Sequence, residues 1–179
     1  MLSLLPVTFS AAMLMTMTMP ADPAASIPSP SHLLLTSPDR RVRAADSIVQ
    51  ALLTDGLRRS PTFASLMTSL SRRDVIVYIE RVMTLPRETM GRLTIVPVAR
   101  DQRYLRIQIR ADLSRSESIA LIGHEMTHAL EIADEPDVRT AEGVIKLYER
   151  IGHSSGGEHV YDTVAARDAG RKVRREITG

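Results

Sequence analysis

Two histidines stand four residues apart in His124-Glu125-Met126-Thr127-His128, with a glutamate directly after the first. On an α-helix such positions share one face a turn apart, so both imidazoles can aim a nitrogen at one point. Neutral imidazole suits zinc, and two such ligands on one rigid helix define half of a tetrahedron. Glu125 is turned by about 100° from His124, so its carboxylate can lie beside the metal without binding it. From there it can take a proton from a water attacking a carbonyl and hand it to the departing amine. In a chain with five histidines, chance placement of this pattern is expected on the order of once in a hundred. The bland alternative is a helix with two histidines at the rim of the core.

A catalytic zinc needs a third protein ligand and one open position. Asp134 lies six residues beyond His128, where the metzincin pattern places its third ligand. That pattern also needs a glycine three residues after the second histidine, and here Glu131 occupies the position, so the helix is expected to continue and aim Asp134 elsewhere. The favoured third ligand is Asp162, in Tyr161-Asp162-Thr163-Val164-Ala165-Ala166, expected within the last helix on a face with Ala165, Ala166 and Ala169. Small side chains let that helix approach the histidine helix closely, which is the gluzincin arrangement. Glu158, His159, Glu142 and Asp134 remain alternative ligands, and a solvated carboxylate near a helix start is the ordinary reading of Asp162. His153, His159, Tyr148 and Tyr161 are further candidates for touching substrate or steadying an oxyanion.

The surrounding pattern says which elements must hold these residues. A helix is expected from Asp39 to Leu57, where Val42, Ala45, Val49, Leu52 and Leu53 recur at helical spacing before Gly56, and a second from Ser60 with Pro61 in its first turn. Val75 to Ile79, Leu93 to Val98 and Tyr104 to Arg110 read as three strands. In the last of them Leu105, Ile107 and Ile109 share one face, while Pro97 marks its neighbour as short or at an edge. Ser114 and Glu117 have the spacing of a capping box that opens the histidine helix. That helix should run to about Asp134, which would cap a following helix with Pro136 in its first turn and Val138, Ala141, Ile145 and Tyr148 along one stripe. A last helix is expected from Glu158 to Glu176.

Composition narrows the function classes. The chain has 179 residues, 44% hydrophobic and 25% charged, enough for one core and not for two full domains. It has no cysteine, so thiolate-bound zinc, iron–sulfur clusters and cysteine nucleophiles are excluded. A net charge of +2 and 3% aromatic residues give no support for nucleic-acid binding. Residues 1–37 read as an apolar leader, resembling a signal peptide, followed by a disordered linker rich in Pro, Ser and Ala; residues 38–179 read as a single domain. If the leader is a signal peptide the chain is exported to the periplasm or beyond, and otherwise it is cytoplasmic. Thr8, Ser10, Thr16 and Thr18 in the apolar run before Pro20 argue against a stable membrane span.

From about Asp74 to Glu176 the chain resembles a group of uncharacterised bacterial proteins that carry the His-Glu-x-x-His signature of zinc metallopeptidases. The segments that carry the likeness are Val75-Ile-Val-Tyr-Ile, Arg103-Tyr-Leu-Arg-Ile, Ile122-Gly-His-Glu-Met-Thr-His-Ala-Leu-Glu-Ile, Leu147-Tyr-Glu-Arg-Ile-Gly and Tyr161-Asp-Thr-Val-Ala-Ala. In such relatives the segment like Tyr161-Asp162-Thr163 carries Glu-Thr, with that Glu as the expected third ligand. Asp162 keeps the carboxylate but is one methylene shorter. The resemblance implies a small gluzincin-like fold and adds no substrate.

The expectation is therefore an α+β domain in which a small, mainly antiparallel three-stranded sheet packs against helices, zincin-like, with the metal helix after the last strand. Zn2+ would be held by His124, His128 and Asp162, with Glu125 as general base and acid in the hydrolysis of a peptide or protein substrate. The polar face or free edge of the strand ending at Arg110 would align an extended peptide. The rival is a non-catalytic zinc-binding or partner-binding protein.

Overall fold

The structure is a computed structural model that describes residues 41–86, 89–96, 102–154 and 161–179. The leader and linker, and the candidate ligands Glu158 and His159, lie outside the described residues. The elements are β1 (Val42–Ala44), α1 (Ser47–Arg59), α2 (Pro61–Ser71), β2 (Val75–Val82), β3 (Gly91–Val96), β4 (Arg103–Arg110), α3 (Arg115–Ala133), α4 (Ala141–Ile151), β5 (His153–Ser154), β6 (Tyr161–Asp162) and α5 (Val164–Thr178).

The three expected strands are present, but they do not form an antiparallel meander. They belong to a four-stranded mixed sheet in the order β1-β2-β4-β3, where β1 runs parallel to β2, β2 parallel to β4, and only β3 antiparallel to β4. After β2 the chain skips one position, returns along the edge as β3, and fills the gap with β4. Alternation of apolar residues reports which face a residue takes, not which way its neighbour runs, so direction was not readable. β3 lies at an edge of the sheet, as expected of this strand, although Pro97 itself lies outside the described residues. The fourth strand falls where a longer first helix was expected. Asp46 ends that possibility, because its carboxylate accepts the Val49 N–H at 2.8 Å and starts α1 there.

One face of the sheet, carrying Val75, Val77, Ile79, Leu93, Leu105, Ile107 and Ile109, is fully covered. Each such aliphatic side chain contributes about 1.5–3 kcal/mol of burial. Against it lies α3, which α1, α2 and α5 cover in turn, so 13 of its 19 residues are buried. A helix enclosed on every side must be placed accurately at both ends. At its start the capping box forms as expected, with Glu117 N donating to Ser114 Oγ at 3.3 Å and Ser114 N to Glu117 Oε2 at 3.0 Å. At its end the buried Arg103 guanidinium, from the start of β4, donates to the carbonyls of Ile132, Ala133 and Glu135 at 2.9–3.0 Å. This cation meets the negative end of the helix dipole. One side chain thereby locks α3 to the sheet.

Asp134 closes α3 but does not cap α4. Residues 135–140 are not helical, and Thr140 caps α4 by accepting the Gly143 N–H at 3.1 Å. The buried stripe is consequently Val144, Leu147 and Tyr148, with Ala141 exposed. Among the described residues no helix is long and apolar enough to cross a membrane.

Candidate metal centre

His124 and His128 point the same way from the middle of α3, and their Nε2 atoms are 3.1 Å apart. The carboxylate of Asp162 completes a triangle, with Oδ1 3.5 Å from His124 Nε2 and 3.6 Å from His128 Nε2. All three side chains are buried, at 2–3% exposure. A circle through three points with these separations has a radius of about 2.0 Å, so a single ion can stand within ordinary zinc–nitrogen and zinc–oxygen distances of all three. The group could thus hold a metal ion. Other divalent transition ions accept the same nitrogen and oxygen donors.

Asp162, the expected third ligand, stands beside the two histidines, but not on a helix. Asp162 sits on the two-residue strand β6, paired with β5 through His153, and α5 begins only after Thr163. The Thr163 hydroxyl accepts the Ala166 N–H at 3.1 Å and so caps α5 at that point. The Thr163 N–H donates back to Asp162 Oδ1 at 2.7 Å, holding the carboxylate toward the histidines. Of the alanines expected to share its face, Ala166 is buried, Ala169 half-buried and Ala165 exposed. Close approach of the helices rests instead on Gly170, where an added Cβ would stand 3.1 Å from His124 Cβ and 3.4 Å from the Ala120 carbonyl oxygen.

Charge is divided unequally among these groups. Burial first, and then the neighbouring His128, push His124 down to about 3. Burial also opposes charge on His128, but the carboxylates of Asp162 and Glu131 outweigh it and raise His128 to about 9. Burial works against ionised Asp162 as well, yet the two imidazoles hold its pKa below the ordinary value. Of the two imidazoles, His128 is thus the one that favours the charged form.

Glu125 is 1% exposed, and burial raises its pKa to about 7. Its Oε1 is buried without a hydrogen-bond partner. The oxygen faces the start of β3, where a Cβ added to Gly91 would come within 2.8 Å of it. A side chain at this position would press on the Glu125 carboxylate and on Leu121.

Sequence reasoning missed Glu131, which entered only as the residue replacing a metzincin glycine. Its Oε2 lies 2.8 Å from His128 Nδ1 and accepts the Tyr148 hydroxyl at 2.9 Å, while its Oε1 accepts the Thr163 hydroxyl at 2.6 Å. The available signal was its spacing of three from His128, which places both on one helix face. Tyr148 is fully buried in this network, stacked on Tyr161 at 6.3 Å, so it braces the site and does not meet substrate. Of the alternative ligands among the described residues, Asp134 pairs with Arg73 at 2.6 Å and exposed Glu142 pairs with Lys146 at 2.7 Å. His153, a candidate for touching substrate, is exposed on β5.

Comparisons with protein-family models, with curated proteins and with solved structures find no match.

Proposed function

We propose that this chain is a zinc-dependent peptidase of zincin type, in which His124, His128 and Asp162 hold the ion and Glu125 moves the protons. The observation that carries the reading is Glu125 itself: a buried carboxylate with an unpartnered oxygen and a pKa near 7, one residue from the first ligand. A buried unsatisfied acceptor costs about 1–3 kcal/mol, and metal retention alone gives no reason to keep one. Zinc bound here would supply a Lewis acid and a water acidified to near neutrality. In this reading Glu125, beside the ion, would accept a proton from that water and release it to the departing amine.

The substrate would be an extended polypeptide. β4 is internal to the sheet and has no free edge, so the aligning role expected of it passes to β3. Among the described strands β3 is paired on one side only, and its first residue, Gly91, touches Glu125. An added strand on that edge would run its carbonyls past the general base. The enclosure of the three ligands, each at 2–3% exposure, favours the rival of a structural metal site.

Metal analysis together with cleavage of unstructured peptides separates the two. Wild type should carry one zinc per chain and cleave, His124→Ala should lose both properties, and Glu125→Gln should keep the metal while losing activity by a factor of about 100 or more. A Glu125→Gln protein as active as wild type would sink the peptidase reading. So would a metal-loaded wild type that cleaves nothing.

A further inference from the structure

We infer that Glu131 is a positioning residue that fixes His128 and the Asp162 segment together, so that two of the three metal ligands are aimed by one side chain. The inference rests on the metal reading of the site. A neutral histidine must present an unprotonated nitrogen to a metal, and which nitrogen that is depends on the hydrogen bond made by the other. Here Nε2 belongs to the triangle with His124 and Asp162, and Nδ1 lies 2.8 Å from Glu131 Oε2. The carboxylate accepts the hydrogen bond of Nδ1–H, which leaves the Nε2 lone pair directed at the ion. It sits on the far edge of the ring from Nε2, so it acts on the metal through His128 and is not a fourth ligand.

The second oxygen extends this control to the other half of the site. Oε1 accepts the hydroxyl of Thr163, the residue whose N–H holds Asp162 Oδ1 at 2.7 Å. Tyr148, from α4, donates to Oε2 at 2.9 Å and completes the set. Three donors from α3, α4 and the cap of α5 therefore meet on one carboxylate. Such convergence fixes the distance between a ligand on α3 and a ligand on β6, which are joined in the chain only through α4 and a long connection. A helix-surface glutamate placed for solubility would have no use for it.

The test compares full-length wild type, Glu131→Ala, Glu131→Gln and Thr163→Val. Zinc affinity is measured by competition with a chelator, and ligand geometry by the visible absorption of the Co2+-loaded proteins. Glu131→Ala should bind zinc about 10–100-fold more weakly, with its Co2+ bands shifted. Glu131→Gln keeps an oxygen for His128 Nδ1–H and an amide for the Thr163 hydroxyl, so it should recover most of the affinity and the wild-type spectrum. Thr163→Val should weaken zinc while leaving His128 ligated. Wild-type affinity and spectrum in Glu131→Ala would overturn the assignment. So would equal losses in the Ala and Gln variants accompanied by altered near-ultraviolet circular dichroism of the chelated proteins, which would mark a folding role. If wild type and His124→Ala alike take up no zinc, the metal reading fails, and this inference falls with it by a distinct signature.

Discussion

Replacing Glu125 by glutamine should make the metal-free protein more stable, although the same change should abolish catalysis. The ordinary pKa of a glutamate is 4.5, and burial of Glu125 raises it to about 7 in the folded chain. Between those values the folded chain holds a proton that the unfolded chain has released, so stability falls as pH rises through the window. Above pH 7 the full penalty stands. At 1.36 kcal/mol per pH unit, a rise from 4.5 to about 7 corresponds to about 3 kcal/mol. Glutamine has the same shape and never ionises. In chelator-treated protein at pH 8, Glu125→Gln should therefore exceed wild type by about 3 kcal/mol in urea denaturation, a large share of the roughly 5–15 kcal/mol that holds a domain folded. The melting temperature should rise on the order of 10 °C. The difference should shrink as pH is lowered and vanish near 4.5. Loading the metal should also narrow it, because a nearby cation favours the ionised carboxylate. A glutamine variant no more stable than wild type at pH 8, or a gap indifferent to pH, would refute the claim that the fold carries Glu125 as a strained acid.

Gly170→Val should separate α5 from α3, because even a bare Cβ there meets His124 Cβ at 3.1 Å. Overpacking of this kind costs about 1–3 kcal/mol, and the displaced helix start should carry Asp162 away from the histidines, read as a loss of zinc affinity in chelator competition. Unchanged affinity in a folded Gly170→Val protein would show that the helix contact does not set the site. Arg103→Met keeps the volume of the side chain but removes its three bonds to the carbonyls ending α3. The expected cost is about 3 kcal/mol in thermal denaturation, and a loss below about 0.5 kcal/mol would deny Arg103 its anchoring part.

What could be read from the residues in advance depended on how local the signal was. His124, Glu125 and His128 were legible because a spacing of four on a helix already fixes their relation, and the capping box at Ser114 fixed where the helix starts. Asp162, favoured among five carboxylates and histidines, does stand beside the two histidines, but on a short strand and not on a helix, since Thr163 as a cap competes with the helical pattern around it. The strands were legible and their directions were not, because β4 enters between β2 and β3 only through pairings distant in sequence. Strand β1, at three residues, is too short to carry a period of its own. Glu131 and Gly91 act through partners that only the folded chain brings near, Thr163 across 32 positions and Glu125 across the sheet-to-helix layer.

The donor set of the centre is nitrogen and oxygen throughout, in a chain without cysteine. Oxidants that strip zinc from sulfur-rich sites do so by taking electrons from thiolate, and here there is none to take. Acid is the natural antagonist instead, since a proton and the ion compete for the same lone pairs on His124 and His128. An ion held here would stay in reducing and oxidising compartments alike and leave on acidification, so ambient pH, not redox poise, would govern whether the protein is loaded.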